Sequence, residues 1–246
     1  MRSNLYFGDC IQIMQTLPSA SIDMILCDLP YGTTQCRWDT PIDLSLLWKE
    51  YKRVAKTNAA VVLFAQTPFD KVLGASNLEY LRYEWVWEKT RPTGHLNARK
   101  MPMKAHENVL VFYKKPPTYN PQKTHGHTRK TATKTKDCSH VYGTQVFDTL
   151  HYDSTTRYPR SVLCFASDTQ KTALHPTQKP VALCKYFIET YSNVESVVLD
   201  NCMGSGTSGV ACVQTNRRFI GIEKDETYFN IAKKRIADAE AEEKNS

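Results

Sequence analysis

The chain has 246 residues, 41% of them hydrophobic and 23% charged, with a formal net charge of +7; this is enough apolar content for one core, or one core plus an insertion, and it excludes a disordered polyelectrolyte. No stretch approaches the roughly 18 apolar residues of a membrane span, and "MRSNLYFGDCIQIMQTLPS" lacks the basic-then-apolar order of an export signal, so a soluble, cytoplasmic protein without membrane association is expected. The eight cysteines (Cys10, Cys27, Cys36, Cys138, Cys164, Cys184, Cys202 and Cys212) form no CxxC pair, which favours reduced thiols over disulfides.

Apolar runs alternate with amphipathic segments in the manner of α/β proteins. Residues 21–28, "SIDMILCD", read as a strand, 42–56 as a helix, 59–66 as a fully buried strand and 68–77 as a helix opened by proline. Two strands, 83–89 and 106–115, follow closely. From Pro116 to about His175 the pattern breaks into a segment rich in Thr, Lys, Tyr, Pro and His, which reads as a long excursion rather than a scaffold element. Regular pattern resumes with a helix over 179–192 that has Pro180 as its first residue, a strand over 194–200, a helix over 205–216, a strand over 217–223 and a helix over 225–244. The acid-rich end, "DAEAEEKNS", is expected to fray.

Charge is unevenly spread. From Lys89 to His140 there are twelve basic residues against two acids, Glu107 and Asp137, so this segment is +10 and the remainder −3. A basic middle in a mildly acidic body points to a polyanionic partner held at one region, with a solvated lysine-rich loop as the plainer alternative. His125, His127, Cys138 and His140 lie in the same stretch, but their spacing matches no standard zinc module and no metal is expected.

The strongest local signal is 197–223, "VVLDNCMGSGTSGVACVQTNRRFIGIE". A buried strand ends in Asp200, Gly204 and Gly206 occupy the turn, a helix follows, and a second strand ends in Glu223, 23 residues after Asp200. This is the βαβ nucleotide arrangement, in which glycines let backbone approach the ligand and the second acid accepts hydrogen bonds from ribose hydroxyls. With Gly209 as third glycine the dinucleotide pattern is met loosely, which keeps a nicotinamide oxidoreductase in view, as well as an ordinary strand-to-helix turn. Asp200, however, would repel a pyrophosphate and suits a ligand bearing an amino group and a sulfonium, which favours S-adenosylmethionine. In "HPTQKP", Lys179 is positioned to neutralise the carboxylate of such a ligand's methionine part.

At the end of the first strand, Asp28-Leu29-Pro30-Tyr31 reads either as a turn or as a site for an aromatic amine. An exocyclic amine on adenine is a poor nucleophile because its lone pair is delocalised into the ring. Accepting its two hydrogens, one on the Asp28 carboxylate and one on the Leu29 carbonyl, would localise that pair. Pro30 restricts Leu29 to an extended conformation and so aims the carbonyl, and Tyr31 offers a face for stacking. In duplex DNA the nitrogen is hidden, so the nucleotide would have to be flipped out while the basic segment holds the strand.

With these motifs in hand, the sequence resembles the class β amino-methyltransferases of DNA, the S-adenosylmethionine-dependent enzymes that modify exocyclic nitrogens of adenine or cytosine. The resemblance is carried in order by Gly8-Asp9-Cys10 with "LPSASIDMILCDLPY", "AHENVLVFYKK" from Ala105, "HPTQKP", "GSGT" and "FIGIE". It implies a Rossmann-like methyltransferase fold with a seven-stranded, mostly parallel sheet flanked by helices and an inserted target-recognition region. The implied divisions are a catalytic half over 1–89, a basic recognition region over 90–174 with a core strand near 106–113, and a cofactor-binding half over 175–246. Asp9 would contact the cofactor's adenine and Glu223 its ribose. Asp200 and the turn through Cys202, Gly204, Ser205, Gly206 and Thr207 would hold its methionine part, and Lys179 its carboxylate. Asp28, Leu29, Pro30 and Tyr31 would hold the target base. His106 and Glu107 fall on a shared strand with no role implied.

Two positions depart from the family pattern: Leu29 stands where proline is common, and Cys202 where an aromatic is common. Members acting on cytosine N4 tend to have serine at the position of Asp28, so adenine N6 is the expected target. Cytosine N4 is the alternative, and a non-catalytic DNA-binding protein on the same scaffold is the rival of a different class. The resemblance further implies S-adenosylhomocysteine as product, double-stranded DNA as partner, dimerisation in some members, a bacterial or bacteriophage source, and, since no nuclease motif is visible, any restriction endonuclease as a separate protein. Candidate sequence readers in the recognition region are Arg91, Asn97, Arg99, Gln122 and Arg129, for which phosphate contact is the commoner role.

Overall fold

The computed structural model describes residues 3–32, 40–135, 149–167 and 178–244. In chain order the elements are β1 (Ser3–Phe7), α1 (Cys10–Thr16), β2 (Ile22–Asp28), α2 (Leu44–Val54), β3 (Ala55–Ala65), α3 (Phe69–Ala75), β4 (Leu81–Thr93) and β5 (Lys104–Phe112). They continue with β6 (Lys130–Thr135), β7 (Thr149–Ser154), β8 (Val162–Phe165), α4 (Val181–Tyr191), β9 (Val197–Asp200), α5 (Thr207–Gln214), β10 (Arg218–Glu223) and α6 (Glu226–Lys244). The chain divides into a larger unit, Met1–Asn120 with Ser161–Ser246, and a smaller one, Pro121–Arg160.

The larger unit is built on one sheet with the order β1-β10-β9-β2-β3-β5-β4-β8. The pairs from β1 through β3 are parallel, β5 is antiparallel to both β3 and β4, and β8 is parallel to β4. The α/β reading and the mostly parallel sheet are as the sequence implied. The strand number is not: eight strands, rather than seven, form this sheet among the described residues. The extra one, β8, lies inside the stretch read as an excursion, and its backbone pairs along β4 from Val86↔Val162 to Lys89↔Phe165.

Strand periodicity sorts the core into two layers. On β3, Ala60, Val62 and Phe64 join a cluster with α4, α5 and α6, whereas Val61, Leu63 and Ala65 join one with α1, α2 and α3. Successive side chains on a strand point to opposite faces, so a strand covered on both sides must be apolar at every position. This is why β2 and β3 read as unbroken apolar runs. Trp85 and Trp87 on β4 share the α4 face, and burial is tolerated because Trp85 Nε1 donates to Tyr191 Oη (2.7 Å) and Trp87 Nε1 to Phe165 O (3.0 Å).

Helix ends follow local chemistry. Asp43 caps α2, accepting from Ser45 N (2.8 Å) and Leu46 N (3.2 Å). Pro180 is the N-cap of α4 rather than its first helical residue. Within the acid-rich end α6 continues through Lys244, with Ala239 buried against the core; the last two residues of that end lie outside the described residues. No helix among the described residues is long and apolar enough to cross a membrane.

The smaller unit is a hairpin of β6 and β7, with an isolated bridge from Thr124 to Arg157. Among the described residues, polar contacts rather than buried apolar side chains tie it together. Arg129 donates to both carboxylate oxygens of Asp153 (2.8 and 2.5 Å), and Arg157 donates to the carbonyls of Ser154 (3.1 Å), Thr156 (2.7 Å) and Thr128 (2.6 Å).

Candidate active site

β9 and β2 run parallel, and between them the sideways progression of the strand order reverses. From β9 the chain crosses by α5 to β10 on one side, and from β2 by α2 to β3 on the other, with α5 and α2 on opposite faces of the sheet. Helices leaving in opposite directions open a crevice at the carboxyl ends of these two strands, the usual ligand position in open α/β sheets. The last residue of β2 is Asp28 and the last of β9 is Asp200. Both line one cleft, together with Asp9, Leu29, Pro30, Tyr31, Lys179, Cys202, Gly204, Ser205, Thr207 and Glu223.

Twelve of the thirteen residues singled out from the sequence thus face a common space. The exception is Gly206, which the lining does not include. It caps α5 with φ 80°, and a Cβ there would lie 2.8 Å from the Cβ of Ala232 on α6. Its glycine character serves the turn and the approach of α6. Gly209, the third glycine of the loose dinucleotide pattern, likewise packs against α6, since a Cβ would meet Ile236 Cδ1 at 2.4 Å.

At the β2 end the groups are held by opposite charge. Lys179 Nζ donates to Asp28 Oδ2 (2.5 Å) and lies 3.3 Å from Glu107 Oε2, while Lys89 Nζ is 2.6 Å from Glu107 Oε1. Burial works against the Lys179 ammonium, but the carboxylates of Asp28 and Glu107 outweigh it and its pKa is raised. Burial would likewise raise Glu107, yet Lys179 and Lys89 hold it below the usual carboxylate range. Tyr31 Oη donates to Asp28 Oδ1 (2.6 Å), and its ring stacks on Phe69 with centroids 5.2 Å apart. The side chain of Leu29 is 3% exposed, within the cluster that includes Cys27 and Leu47.

At the β9 end the carboxylate has no cation. Asp200 Oδ1 accepts from Cys202 N (3.0 Å) and Oδ2 from the Ser208 hydroxyl, and no basic side chain among the described residues forms an ion pair with it. Burial pushes its pKa up to about 7 against these hydrogen bonds. Burial also pushes the thiol of neighbouring Cys27 up to about 12. Next to Asp200, Asn201 Oδ1 accepts from Tyr51 Oη (2.5 Å), which ties the end of β9 to α2. Glu223 is fixed by two backbone donors, Gly204 N to Oε2 and Asp225 N to Oε1, both 2.8 Å, with burial raising its pKa against them. Asp9 caps α1 through Gln12 N (3.0 Å) while lining the cleft. Arg235 on α6 holds the glycine turn by donating to Ser205 O (2.6 Å).

Glu107 is the site residue that sequence reasoning left without a role. It is 8% exposed and lines the cleft, and its Oε2 faces the Lys179 ammonium at 3.3 Å as an ion pair rather than a well-aligned hydrogen bond. The available signal was an acid opening an apolar strand in a segment otherwise almost free of acids. Its partners, Lys89 and Lys179, are distant in sequence, so the pairing itself was not visible. Of the His125, His127, Cys138 and His140 group, the last two lie outside the described residues. His127 Nε2 is 2.6 Å from Thr124 Oγ1, and no metal-binding group of three or more His, Cys, Asp and Glu is found among the described residues.

Residues 22–234 match a family model described as DNA methylase. The Type II methyltransferase M.HinfI of Haemophilus influenzae is 26% identical, over 93% of this chain and 67% of its own length. M.HpaI of Haemophilus parainfluenzae, also a Type II methyltransferase, is 28% identical, over 96% of this chain and 74% of its own. Among solved structures, the M1.HpyAVI–SAM complex superposes with a TM-score of 0.67 at 25% identity, covering 95% of this chain and 98% of that one. The cytosine-N4-specific PvuII DNA methyltransferase shares the fold, with a TM-score of 0.66 at 15% identity over 99% and 93% of the two chains.

Proposed function

The chain belongs to the N6/N4 family of DNA methylases and is a DNA methyltransferase, and we propose that it methylates the N6 amino group of an adenine flipped out of duplex DNA. The methyl donor is S-adenosylmethionine. When bound it supplies an electrophilic methyl group on a sulfonium, with a neutral sulfide as leaving group. The cleft suits this donor: Asp200 is a carboxylate without a cation, matched to the amino group, and Glu223 is a fixed acceptor matched to ribose hydroxyls. Residues 175–246 are read as the cofactor half, 1–89 as the target-base half and 90–174 as the recognition region. A cytoplasmic enzyme completes the reading, since the relatives named above are bacterial.

The observation that carries the proposal is the common cleft of Asp28 and Asp200 at the reversal point of the sheet. Asp28 and the Leu29 carbonyl accept the two amine hydrogens and localise the nitrogen lone pair, and Tyr31, backed by Phe69, supplies the stacking face. Asp28 Oδ2 already accepts from Lys179, whose ammonium also lies 3.3 Å from Glu107 Oε2, so the carboxylate's remaining lone pairs receive the amine while the two acids share the lysine. Glu107 is therefore read as a positioning residue that shares Lys179 with Asp28. With the donor bound, the site's main contribution would be to hold the amine against the methyl group, an orientation effect that reaches about 7–11 kcal/mol in well-oriented systems. Adenine is favoured over cytosine by Asp28, where cytosine-N4 members tend to carry serine.

Methylation-sensitive single-molecule sequencing of DNA from cells expressing the chain tests this reading. N6-methyladenine at one short motif, absent with Asp28→Ala, is expected. N4-methylcytosine would replace the adenine assignment. Unmodified DNA, from a chain that still binds S-adenosylhomocysteine, would leave only the non-catalytic scaffold.

A further inference from the structure

We propose that the β4–β5 connection, residues 94–103, is a wedge that enters the base stack of duplex DNA beside the cleft, with Leu96 filling the gap left by the flipped nucleotide. The inference rests on the methyltransferase reading and goes beyond it by naming where the duplex is opened. Topology gives the first support. Because β5 is antiparallel to both β3 and β4, β4 points the same way as β3, and its connection to β5 leaves from the edge of the sheet at which the cleft opens. Lys104, the first residue of β5, donates to Gln66 Oε1 (3.3 Å), and Gln66 lines the cleft.

The segment is ordered by its own backbone. Gly94 takes φ 88° and opens a 3₁₀ turn over His95–Asn97, in which Asn97 N donates to Gly94 O (3.0 Å) and Met101 N to Asn97 O (3.0 Å). Leu96 stands on this turn at 88% exposure, the highest among the large hydrophobic residues described, and Met101 and Met103 of the same connection are also exposed. A leucine held in water by an ordered turn gains by transfer to an apolar space, and ordering beforehand reduces the entropy lost on binding.

The charge around it selects the occupant. There is no acid from Lys89 through His106, and Arg91, Arg99, Lys100 and Lys104 form no ion pair among the described residues. A step of duplex from which one base has left presents apolar base faces above and below, with phosphates on both sides. An aliphatic tip flanked by guanidinium and ammonium groups complements it, in the manner of side-chain wedges that unstack base steps.

The test uses the full-length protein and a synthetic duplex carrying the motif that sequencing identifies, either fully paired or with an abasic site opposite the target base. An abasic partner removes the pairing that flipping must break. Leu96→Ala is expected to lower the single-turnover methylation rate at least fivefold on the paired duplex and less than twofold on the abasic-opposed one. S-adenosylhomocysteine affinity should stay within twofold, and Leu96→Met should retain at least half of the wild-type rate on the paired duplex. A loss of less than fivefold on the paired duplex, or an equal loss on both, overturns the wedge. A wild-type chain that methylates neither duplex sinks the methyltransferase reading instead, and the wedge with it.

Discussion

Two aspartates end neighbouring strands of the same sheet, in the same cleft, and live under opposite electrostatic conditions. Asp28 is paired with Lys179 and accepts from Tyr31, in a group whose two carboxylates and two ammoniums balance. Asp200 is buried, accepts from the Ser208 hydroxyl and has no ion-pair partner among the described residues, and burial pushes its pKa up to about 7. The difference teaches what each end awaits. A carboxylate already neutralised is a fixed acceptor for a neutral amine, whose arrival changes no charge. A buried carboxylate with no ion-pair partner is matched to a positively charged ligand, whose charge offsets the cost of burial.

The sharpest break in this comparison removes the acceptor at one end only. Asp28→Ala should lower the single-turnover methylation rate by about 10²- to 10³-fold, the range lost when one hydrogen-bonding group at the reacting centre is removed. S-adenosylhomocysteine affinity, measured by calorimetry, should stay within threefold, because the β9 end is untouched. A parallel loss of affinity would mean that the two ends are not separable.

Next in size is the residue after each aspartate, which ties its strand end to the α2 side of the sheet: Leu29 by packing, Asn201 through the Tyr51 hydroxyl. Leu29→Ala keeps the carbonyl but deletes a buried side chain, so urea unfolding should register a loss of about 2–5 kcal/mol. Methylation by the folded protein should remain at a third of the wild-type rate or more. A larger loss of rate would give the side chain a part in catalysis beyond packing.

Both ends were legible in the sequence. The unit from β9 to β10 was plain because strands covered on both faces are written as apolar runs, and because Asp200, the glycines and Glu223 stand close together. Asp28 to Tyr31 was plain for the same reason, lying at the end of the buried run of β2. What escaped was structure held by backbone alone or by distant partners. In β8 the burial alternates between exposed and half-buried, and β1 at the opposite edge is equally exposed, so neither carries the apolar signature of the centre. Glu107 was visible as an acid out of place, but its task depends on two lysines from other elements. The role expected of Lys179, a partner for the donor's carboxylate, must now be weighed with the two protein carboxylates it touches.

Glu107→Gln probes that shared ammonium with a smaller expected effect. Keeping the shape but losing the charge leaves Lys179 to Asp28 alone, which should make the acceptor less available and slow single-turnover methylation by about tenfold, the equivalent of about 1.4 kcal/mol. Glu107→Asp, which keeps the charge, should recover part of that loss, with S-adenosylhomocysteine affinity unchanged in both. Equal rates for the glutamine variant and the wild type would restrict Glu107 to holding Lys89.

The smallest effect belongs to pH and concerns the other aspartate. With its folded pKa at about 7, against an ordinary value of 3.8, Asp200 retains a proton that the unfolded chain has lost. Its ionisation therefore costs stability progressively as pH rises from the ordinary value to the raised one, and the ligand-free protein is most favoured on the acid side of that window. A ligand with an ammonium group reverses the sign, because it binds the ionised form. Below pH 7 the ionised fraction falls by up to about tenfold per unit, so S-adenosylhomocysteine should bind about tenfold more weakly at pH 6 than at pH 8, releasing a proton on binding at the lower pH. The adjoining thiol of Cys27, raised to about 12, does not titrate in this range. Calorimetry at the two pH values, in buffers of different ionisation enthalpy, measures both affinity and proton release. Asp200→Asn should bind weakly and lose most of this slope, whereas Asp28→Asn should keep it; a slope that follows Asp28 instead would mean that the cation is received at the other end of the cleft.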